Sequence, residues 1–249
     1  MIRLWLSLPL AALTAILATC PGAAAAQEIT LSLGDGGSIS ARTIQLILLI
    51  ALLSVAPGLV IMITCFPFLV TVLAILRQAI GLQQSPPNML IVSLALFLTW
   101  FVMEPVFEQA WQNGIAPLMA EQVDTRTAAT RALEPFRSFM AARVDPDTFA
   151  ALAELRHGGV PDAEPTPEAP LALLVPSFLL SEIARAFQVG FLIFLPFLII
   201  DLVVAAVLMS MGMMMVPPAI VSLPFKLAFF VVADGWSLIA GALVRSYSN

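Results

Sequence analysis

The ionisable side chains in the apolar second half of the sequence are the positions at which chemistry would be expected. Glu182 and Arg185 lie three residues apart, a spacing that places both on one face of a helix. Asp201 and Asp234 each interrupt a long run without charge. Ionisable groups at membrane depth are costly and usually face a bundle interior or a watery path. We therefore predict that Glu182 pairs locally with Arg185, and that the two aspartates pair with Lys226.

A proton relay through Asp201 and Asp234 is the alternative chemistry. It is less favoured than pairing, because no histidine accompanies the two carboxylates. His157 is the only histidine, and without a second histidine or a nearby thiolate we expect it at a helix end on the surface rather than in a metal site. The sequence also lacks a Ser/His/Asp set, a glycine-rich phosphate loop and a nucleophile elbow. We predict no enzyme activity, no cofactor and no metal site.

A methionine-rich segment at residues 209–218 holds five of the eleven methionines beside a double proline. Methionine is unbranched and adaptable, whereas Pro217 and Pro218 block continuation of a helix. The pattern predicts a tight turn with a flexible apolar lining. Two interpretations stay open: the side chains form a constriction, or they only fill space in an apolar loop. The methionines are Met209, Met211, Met213, Met214 and Met215.

The overall composition indicates an integral membrane protein. Of the 249 residues, 60% are hydrophobic and 11% are charged, against about 25% charged in a soluble domain. The net charge of -5 and the single lysine leave no basic face that could neutralise phosphates. We therefore exclude a nucleic-acid partner.

The amino terminus has the order of a cleavable secretory signal over residues 1–26. A short positive start precedes an apolar run at residues 4–18, and small residues end the segment. A first transmembrane helix is one alternative, although about 20 apolar residues are needed to span a bilayer. A lipoprotein site at Cys20 is another. Cleavage near Ala26 would leave Cys65 as the only cysteine, without an intramolecular disulfide.

The rest of the chain predicts an all-α membrane protein with two proline-broken helical hairpins and about four apolar spans. An exported segment at residues 27–43 precedes the first hairpin at 44–106, which is interrupted at Pro57-Gly58 and at Pro67. The second hairpin covers residues 173–249 and has the methionine-rich segment as its turn.

Residues 107–172 between the hairpins predict a small periplasmic region of amphipathic helices and a linker. The first helix would place Leu133, Phe136 and Met140 on one face. The second would begin with Asp145 as its N-cap, followed by proline at the first helical position.

Phe187, Phe191 and Phe194 follow helical spacing and form an aromatic stripe on the second hairpin. Packing against a neighbouring helix or another subunit is the favoured interpretation of this stripe. Lining of a pore by Phe191 or Phe194 is the alternative.

A set of long, ordered motifs from residue 44 to residue 244 closely resembles the FliP family of flagellar export-gate proteins. This chain has Pro67-Phe68 where many relatives carry Thr-Arg, and Ser177 and Val189 replace more usual residues. The motifs are Leu76-Arg77-Gln78-Ala79-Ile80-Gly81, Gln84-Ser85-Pro86-Pro87-Asn88, Ala95-Leu96-Phe97-Leu98-Thr99, Met103-x-Pro105-Val106, Pro176-x-Phe178, Ser181-Glu182-Ile183, Ala186-Phe187-Gln188, Pro196-Phe197-Leu198-Ile199-Ile200-Asp201, Gly212-Met213-Met214-Met215-Val216-Pro217-Pro218, Leu223-Pro224-Phe225-Lys226 and Asp234-Gly235-Trp236.

The resemblance implies a helical assembly of several copies with two smaller export-gate membrane subunits, held in the flagellar basal body at the cell inner membrane. Unfolded rod, hook and filament proteins would pass through its centre, driven by other components. In that setting Met211, Met213, Met214 and Met215 would form a compliant pore gasket. Gate or inter-subunit contacts are expected at Glu182, Arg185, Phe187, Phe191, Asp201 and Lys226.

Two other functions are compatible with the same hairpins. One is the homologous export-gate subunit of a virulence-type secretion system, against which the apparent signal and the acidic exported region favour the flagellar member. The other is a small-solute carrier, which would need a binding site near the bilayer midplane, formed by discontinuous helices in corresponding halves.

Overall fold

The computed structural model describes residues 39–81, 86–155, 164–213 and 215–247, and these residues form helices and no strand, which confirms the all-α prediction. The chain divides into two compact units, Met1–Ala51 and Leu52–Asn249. The helices are α1 (Ile39–Met62), α2 (Phe66–Ile80), α3 (Asn88–Ala110), α4 (Ala116–Met119), α5 (Thr125–Arg143), α6 (Pro146–Glu154), α7 (Leu171–Ser210), α8 (Pro218–Val232) and α9 (Gly235–Arg245).

Three helical stretches among the described residues are long and apolar enough to cross a membrane: Thr43–Met62, Asn88–Met119 and Leu171–Ser210. The last two helices, α8 and α9, are bent by 62° at a short break and could together make a fourth span. This agrees with the prediction of about four apolar spans. The prediction of a signal segment at residues 1–26 lies outside the described residues.

The first unit contributes only the beginning of α1 to the described residues, and its described side chains are exposed. In the sequence, Pro57-Gly58 predicts a break, but α1 continues through both residues and ends at Met62. A helix in apolar surroundings keeps its internal hydrogen bonds because water does not replace them, so the loss of one bond at proline is tolerated.

The break between α1 and α2 is held by Thr64. Its hydroxyl donates to the Ile61 carbonyl at 2.7 Å and accepts from the Phe66 backbone N–H at 3.3 Å. Proline then occupies the first turn of α2, where its missing N–H costs no helical bond. At the other end, Gly81 adopts a left-handed conformation with φ of 89° and closes the helix.

The short helix α2 is the centre of the second unit. It has 15 residues, fewer than the roughly 20 needed to span a bilayer, and seven of its side chains are buried. Its neighbours are α7 and α3. Gly190 on α7 allows this packing, because a Cβ there would lie 2.4 Å from Ile75. The buried residues of α2 are Phe68, Leu69, Val72, Leu73, Leu76, Ala79 and Ile80.

The region between the hairpins contains the two predicted amphipathic helices. Asp124 caps α5, and Asp145 caps α6 by accepting the Thr148 backbone N–H, as predicted. Hydrogen bonds from the hydroxyls of Thr127 and Thr148, and then from the backbone N–H groups of the same residues, hold the pKa of Asp124 and Asp145 respectively below its ordinary value. Met140 is buried, but Leu133 on the predicted apolar face is exposed. His157 lies outside the described residues.

The long helix α7 runs for 40 residues without interruption, about 60 Å at 1.5 Å per residue. It ends at Ser210, where the methionine-rich turn begins. Gly212 takes a φ of 74°, and the N–H groups of Gly212 and Met213 bond to the carbonyls of Met209 and Leu208 at 3.0 Å each. This left-handed termination satisfies the last carbonyls of the helix, and the predicted turn is confirmed.

Candidate functional site

The side chain of Glu182 on α7 is fully buried and forms the centre of an ion cluster. Nε of Arg143, the last residue of α5, donates to Oε1 at 3.1 Å. Nη2 of Arg143 also lies 3.1 Å from Oε1, within ion-pair distance but without an aligned hydrogen bond. Nη1 of Arg185 lies 3.3 Å from the same oxygen, which confirms the predicted local pair. One buried carboxylate therefore has two cationic partners.

Tyr247 completes this cluster from the carboxyl-terminal end of the chain. Its hydroxyl donates to Oε2 of Glu182, and its ring lies 4.0 Å from the Arg143 guanidinium, measured to the ring centroid. Arg143 also donates to the Ser246 carbonyl at 2.8 Å. Burial, and then the charge of Glu182, raise the pKa of Tyr247. The cluster thus joins α5, α7 and the end of the chain.

Neither Arg143 nor Tyr247 is among the residues selected from the sequence. Arg143 is 39 positions from Glu182 and Tyr247 is 65 positions away, so no helical spacing connects them. The one available signal was that Tyr247 is the single tyrosine of the chain. We name the group of Arg143, Glu182, Arg185 and Tyr247 the Glu182 cluster.

A second ion pair joins α7 to α8. Nζ of Lys226 lies 2.6 Å from Oδ2 of Asp201, and the hydroxyl of Ser222 donates to Oδ1 at 2.5 Å. Lys226 also donates to the carbonyl of Ala79 at 3.2 Å. That carbonyl belongs to the last turn of α2, where a helix favours positive charge. The predicted Asp201–Lys226 pairing is confirmed, and together with the bond to Ala79 it joins α7 and α8 to the last turn of α2.

Asp234 does not join either group. It is exposed at the break between α8 and α9, in a left-handed conformation with φ of 46°. Lys226 therefore pairs with Asp201, as predicted, and does not pair with Asp234. In the part of the molecule that the structure describes, no series of hydrogen-bonded side chains connects Asp201 to Asp234, as a relay would require.

The turn after α7 presents methionine side chains outward. Met215 is 98% exposed, and Met209, Met211 and Met213 are also exposed. Met214 lies outside the described residues. A cleft of about 550 Å³ lies beside the turn between α7 and α8. Its lining is entirely apolar and consists of Ile199, Ile200, Val203, Val204, Val207, Leu208, Met211, Met213, Val221 and Phe225.

The aromatic stripe on α7 is divided between surface and interior. Phe187 and Phe191 are exposed, while Phe194 packs partly against the core. Phe187 and Phe194 line a cleft of about 860 Å³ that also contains Asp201 and Lys226. Of the predicted contact residues, Phe187, Asp201 and Lys226 line this one groove, whereas Glu182, Arg185 and Phe191 do not.

The role of these groups is structural. No group of three or more His, Cys, Asp or Glu residues that could hold a metal occurs within the described ranges. Burial raises the pKa of the Cys65 thiol to about 12, so this cysteine stays protonated and unreactive at neutral pH. The ion pairs fix helices in position, and the exposed apolar and methionine side chains provide surfaces for contact.

The chain is similar in sequence to a known family and to proteins from several bacteria. A model of the FliP family matches residues 49–243. The flagellar biosynthetic protein FliP of Caulobacter vibrioides is 50% identical over 233 residues, which cover 93% of this chain and 87% of that protein. The protein of the same name in Agrobacterium fabrum is 46% identical over 94% of this chain and 97% of its own length. That of Bacillus subtilis is 44% identical over 82% and 92%.

Proposed function

Since the chain belongs to the FliP family and is a membrane component of the flagellar export apparatus, we propose that it is the pore-forming subunit of the flagellar protein export gate. In this role it passes unfolded rod, hook and filament proteins across the cell inner membrane, within the flagellar basal body. The cleavable signal at residues 1–26 directs its amino terminus outward.

The observation that carries this proposal is the exposed methionine turn after α7. Met211, Met213 and Met215 extend from a turn that is fixed by left-handed Gly212 and followed by two prolines, and Met209 is exposed on the last turn of α7. Methionine adapts to irregular surfaces because its side chain is flexible and polarizable. A ring of such turns would close on small solutes and yield to an unfolded chain, so Met211, Met213, Met214 and Met215 form the gasket.

Several copies of the chain are required, because two helical hairpins cannot enclose a protein-conducting channel. Large apolar side chains on α7 support contact between copies, notably Phe187 and Phe191, which are exposed. Two smaller export-gate membrane subunits complete the assembly. The relatives reported above carry flagellar names, which favours flagellar export over a virulence-type system.

In this proposal the ion pairs have a structural role, which differs from the role of the methionines. Glu182 is satisfied inside one chain, so it holds the helices that carry the contact surfaces. Arg185 has a side chain that is 36% exposed, and it is the member of the cluster able to reach a neighbouring copy. Asp201 and Lys226 hold α8 against α7 and thereby set the position of the methionine turn.

The direct test is an in-frame deletion of the gene in its own bacterium, with secretion of hook and filament proteins as the readout. We expect secretion to stop and to return when the wild-type gene is supplied. A deletion strain that still secretes these proteins and builds filaments would reject the proposed function.

A further inference from the structure

The cleft of about 860 Å³ between α2, α7 and α8 has a charged end and an apolar end. The helices α2 and α7 run side by side in the same direction, since Ile75 lies against Gly190, and further along α2 the Ala79 carbonyl accepts from the lysine that pairs with Asp201. The charged residues of the cleft therefore gather where α2 ends. We name the cleft the Arg77 groove, after the arginine at that end.

Arg77 brings to this groove a positive charge that no carboxylate of the described residues neutralises. Its Nη1 donates to Oδ1 of Asn88 and to the carbonyl of Pro86 at 3.4 Å, and both acceptors are neutral. The ion pairs among the described residues involve other cations. Lys226 and Asp201 neutralise each other, so the charged end of the groove keeps one net positive charge.

The contact between Arg77 and Asn88 places this charge at a surface of the membrane. Asn88 is the first residue of the apolar span that ends at Met119. The sequence is polar over residues 83–88 and uncharged over residues 89–103. Such a change at the start of a span marks the level of the lipid headgroups. The charged end of the groove therefore lies where a phosphate of the bilayer is found.

The other end of the groove is apolar, and the groove has the length of one bilayer leaflet. Phe187, Phe194 and Asp201 lie seven residues apart on α7 and all line it, so the groove follows one face of that helix. From Phe187 to Asp201 the helix rises about 21 Å at 1.5 Å per residue, and half a bilayer with its headgroups measures about 20 Å. Val70 and Ala74 line the same part of the groove from α2.

We propose that the Arg77 groove binds an anionic phospholipid of the membrane. The guanidinium of Arg77 holds the phosphate, the exposed amide of Gln78 beside it donates to the headgroup, and an acyl chain lies along Phe194 and Phe187. Basic pockets between membrane helices select anionic headgroups in this way. Phe187 also belongs to the contact surface between copies proposed above, so the lipid lies at the border of that contact. The inference depends on the membrane location of the chain and is independent of the export function.

The test uses the full-length tagged chain, purified from its own bacterium with the subunits that it carries and placed in phosphatidylcholine vesicles. The vesicles contain a small fraction of photo-reactive phosphatidylglycerol or, in the parallel sample, of photo-reactive phosphatidylcholine, each with the reactive group in the acyl chain. Mass spectrometry after illumination identifies the labelled peptides. We expect phosphatidylglycerol to label the peptides of α2 and α7 that line the groove about tenfold more than phosphatidylcholine.

Variants separate the charge of Arg77 from its contact in the hairpin. Arg77→Gln should lower labelling by phosphatidylglycerol about tenfold, whereas Arg77→Lys should retain most of it. Asn88→Ala removes the hairpin contact and leaves the charge, so it should be labelled like the wild type. Ala74→Phe narrows the apolar end and should also lower labelling. Arg131→Gln is the matched control, because Arg131 is an exposed arginine on α5, and it should not alter labelling.

Four results would overturn the inference. Equal labelling by the two lipids would show that the groove does not recognise the anionic headgroup. Loss of labelling on addition of inorganic phosphate, but not of chloride at equal ionic strength, would identify a site for a free anion. Absence of labelled α2 and α7 peptides would show that a protein chain, such as a second copy, covers the groove. These three results are obtained with the wild-type chain, so they do not depend on the folding of a variant. The fourth is an equal loss of labelling in Asn88→Ala and Arg77→Gln, which would confine Arg77 to the hairpin.

Discussion

The guanidinium of Arg143 lies 3.1 Å from the fully buried carboxylate of Glu182, although α5 and α7 are separate in sequence. Tyr247 donates to the same carboxylate, so the helices between the hairpins, the long apolar helix and the end of the chain share one anchoring point. A buried carboxylate is stable only with such partners. The position of α7, and of the turn that it carries, therefore depends on residues far from it in sequence.

Removal of Arg143 should destabilise the chain. In Arg143→Ala, Glu182 keeps only Arg185 and Tyr247, and we expect the free energy of unfolding to fall by about 3 kcal/mol. Thermal unfolding of the detergent-solubilised chain measures this loss. Arg126→Ala is the matched control at an exposed position of the same helix, with an expected change within about 0.5 kcal/mol. Equal unfolding temperatures of the two variants would contradict the anchoring role.

Charge reversal at Glu182 separates a contact within one chain from a contact between copies. Glu182→Lys places a third cation beside Arg143 and Arg185, and we expect the isolated chain to unfold at lower temperature and to accumulate poorly in membranes. The yield of the assembled complex should fall as a consequence. A lock that acts only between copies would instead lower complex yield while the stability of the isolated chain stayed at the wild-type value.

Tyr247 should not ionise at its ordinary pKa of about 10. Burial and the charge of Glu182 raise the pKa of Tyr247 in the folded chain, so the folded state binds the phenol proton more tightly than the unfolded state. The associated stability is fully present below pH 10 and declines as the pH rises above that value. Because Tyr247 is the only tyrosine, the ultraviolet absorbance of tyrosinate reports on it alone. Appearance of that signal near pH 10 in folded protein would contradict this prediction.

The Asp201–Lys226 pair should show strong coupling. Lys226→Met leaves the carboxylate without its cation, and we expect a loss of about 2 kcal/mol, less than for a fully buried pair because water reaches part of Asp201. The double variant Asp201→Asn with Lys226→Met should recover more than half of that loss. Unfolding measurements on both single variants and the double variant give the coupling energy. Additive losses would show that the two side chains do not depend on each other.

Local patterns in the sequence were sufficient to predict part of this structure. The cap at Asp145, the turn at residues 209–218 and the pairing of Glu182 with Arg185 each depend on residues a few positions apart, and each is present. The Asp201–Lys226 pair was accessible because so few charges occur in the apolar runs. With so few charged residues available, Lys226 was one of few possible partners for Asp201.

Other features depend on packing between distant segments and left no local pattern. The helix α3 continues past Pro105 and is followed by a π-helical turn at Trp111–Ile115. In this turn Gly114 lies against Ala132 of α5, and a Cβ on Gly114 would approach that side chain to 2.6 Å. Arg143 and Tyr247 meet Glu182 only after α5, α7 and the end of the chain have packed together. These contacts could be identified only from the folded structure.

Ion leakage through cells that carry Met213→Ala, Met214→Ala and Met215→Ala together is the most direct measurement of the proposed conduit. Alanine removes the flexible apolar side chains without blocking the path, so we predict measurable collapse of the membrane potential while hook protein secretion persists. Met119→Ala is the matched control, because Met119 is an exposed methionine outside the turn, and it should not leak. Leakage of the triple variant at the background of this control would contradict the gasket.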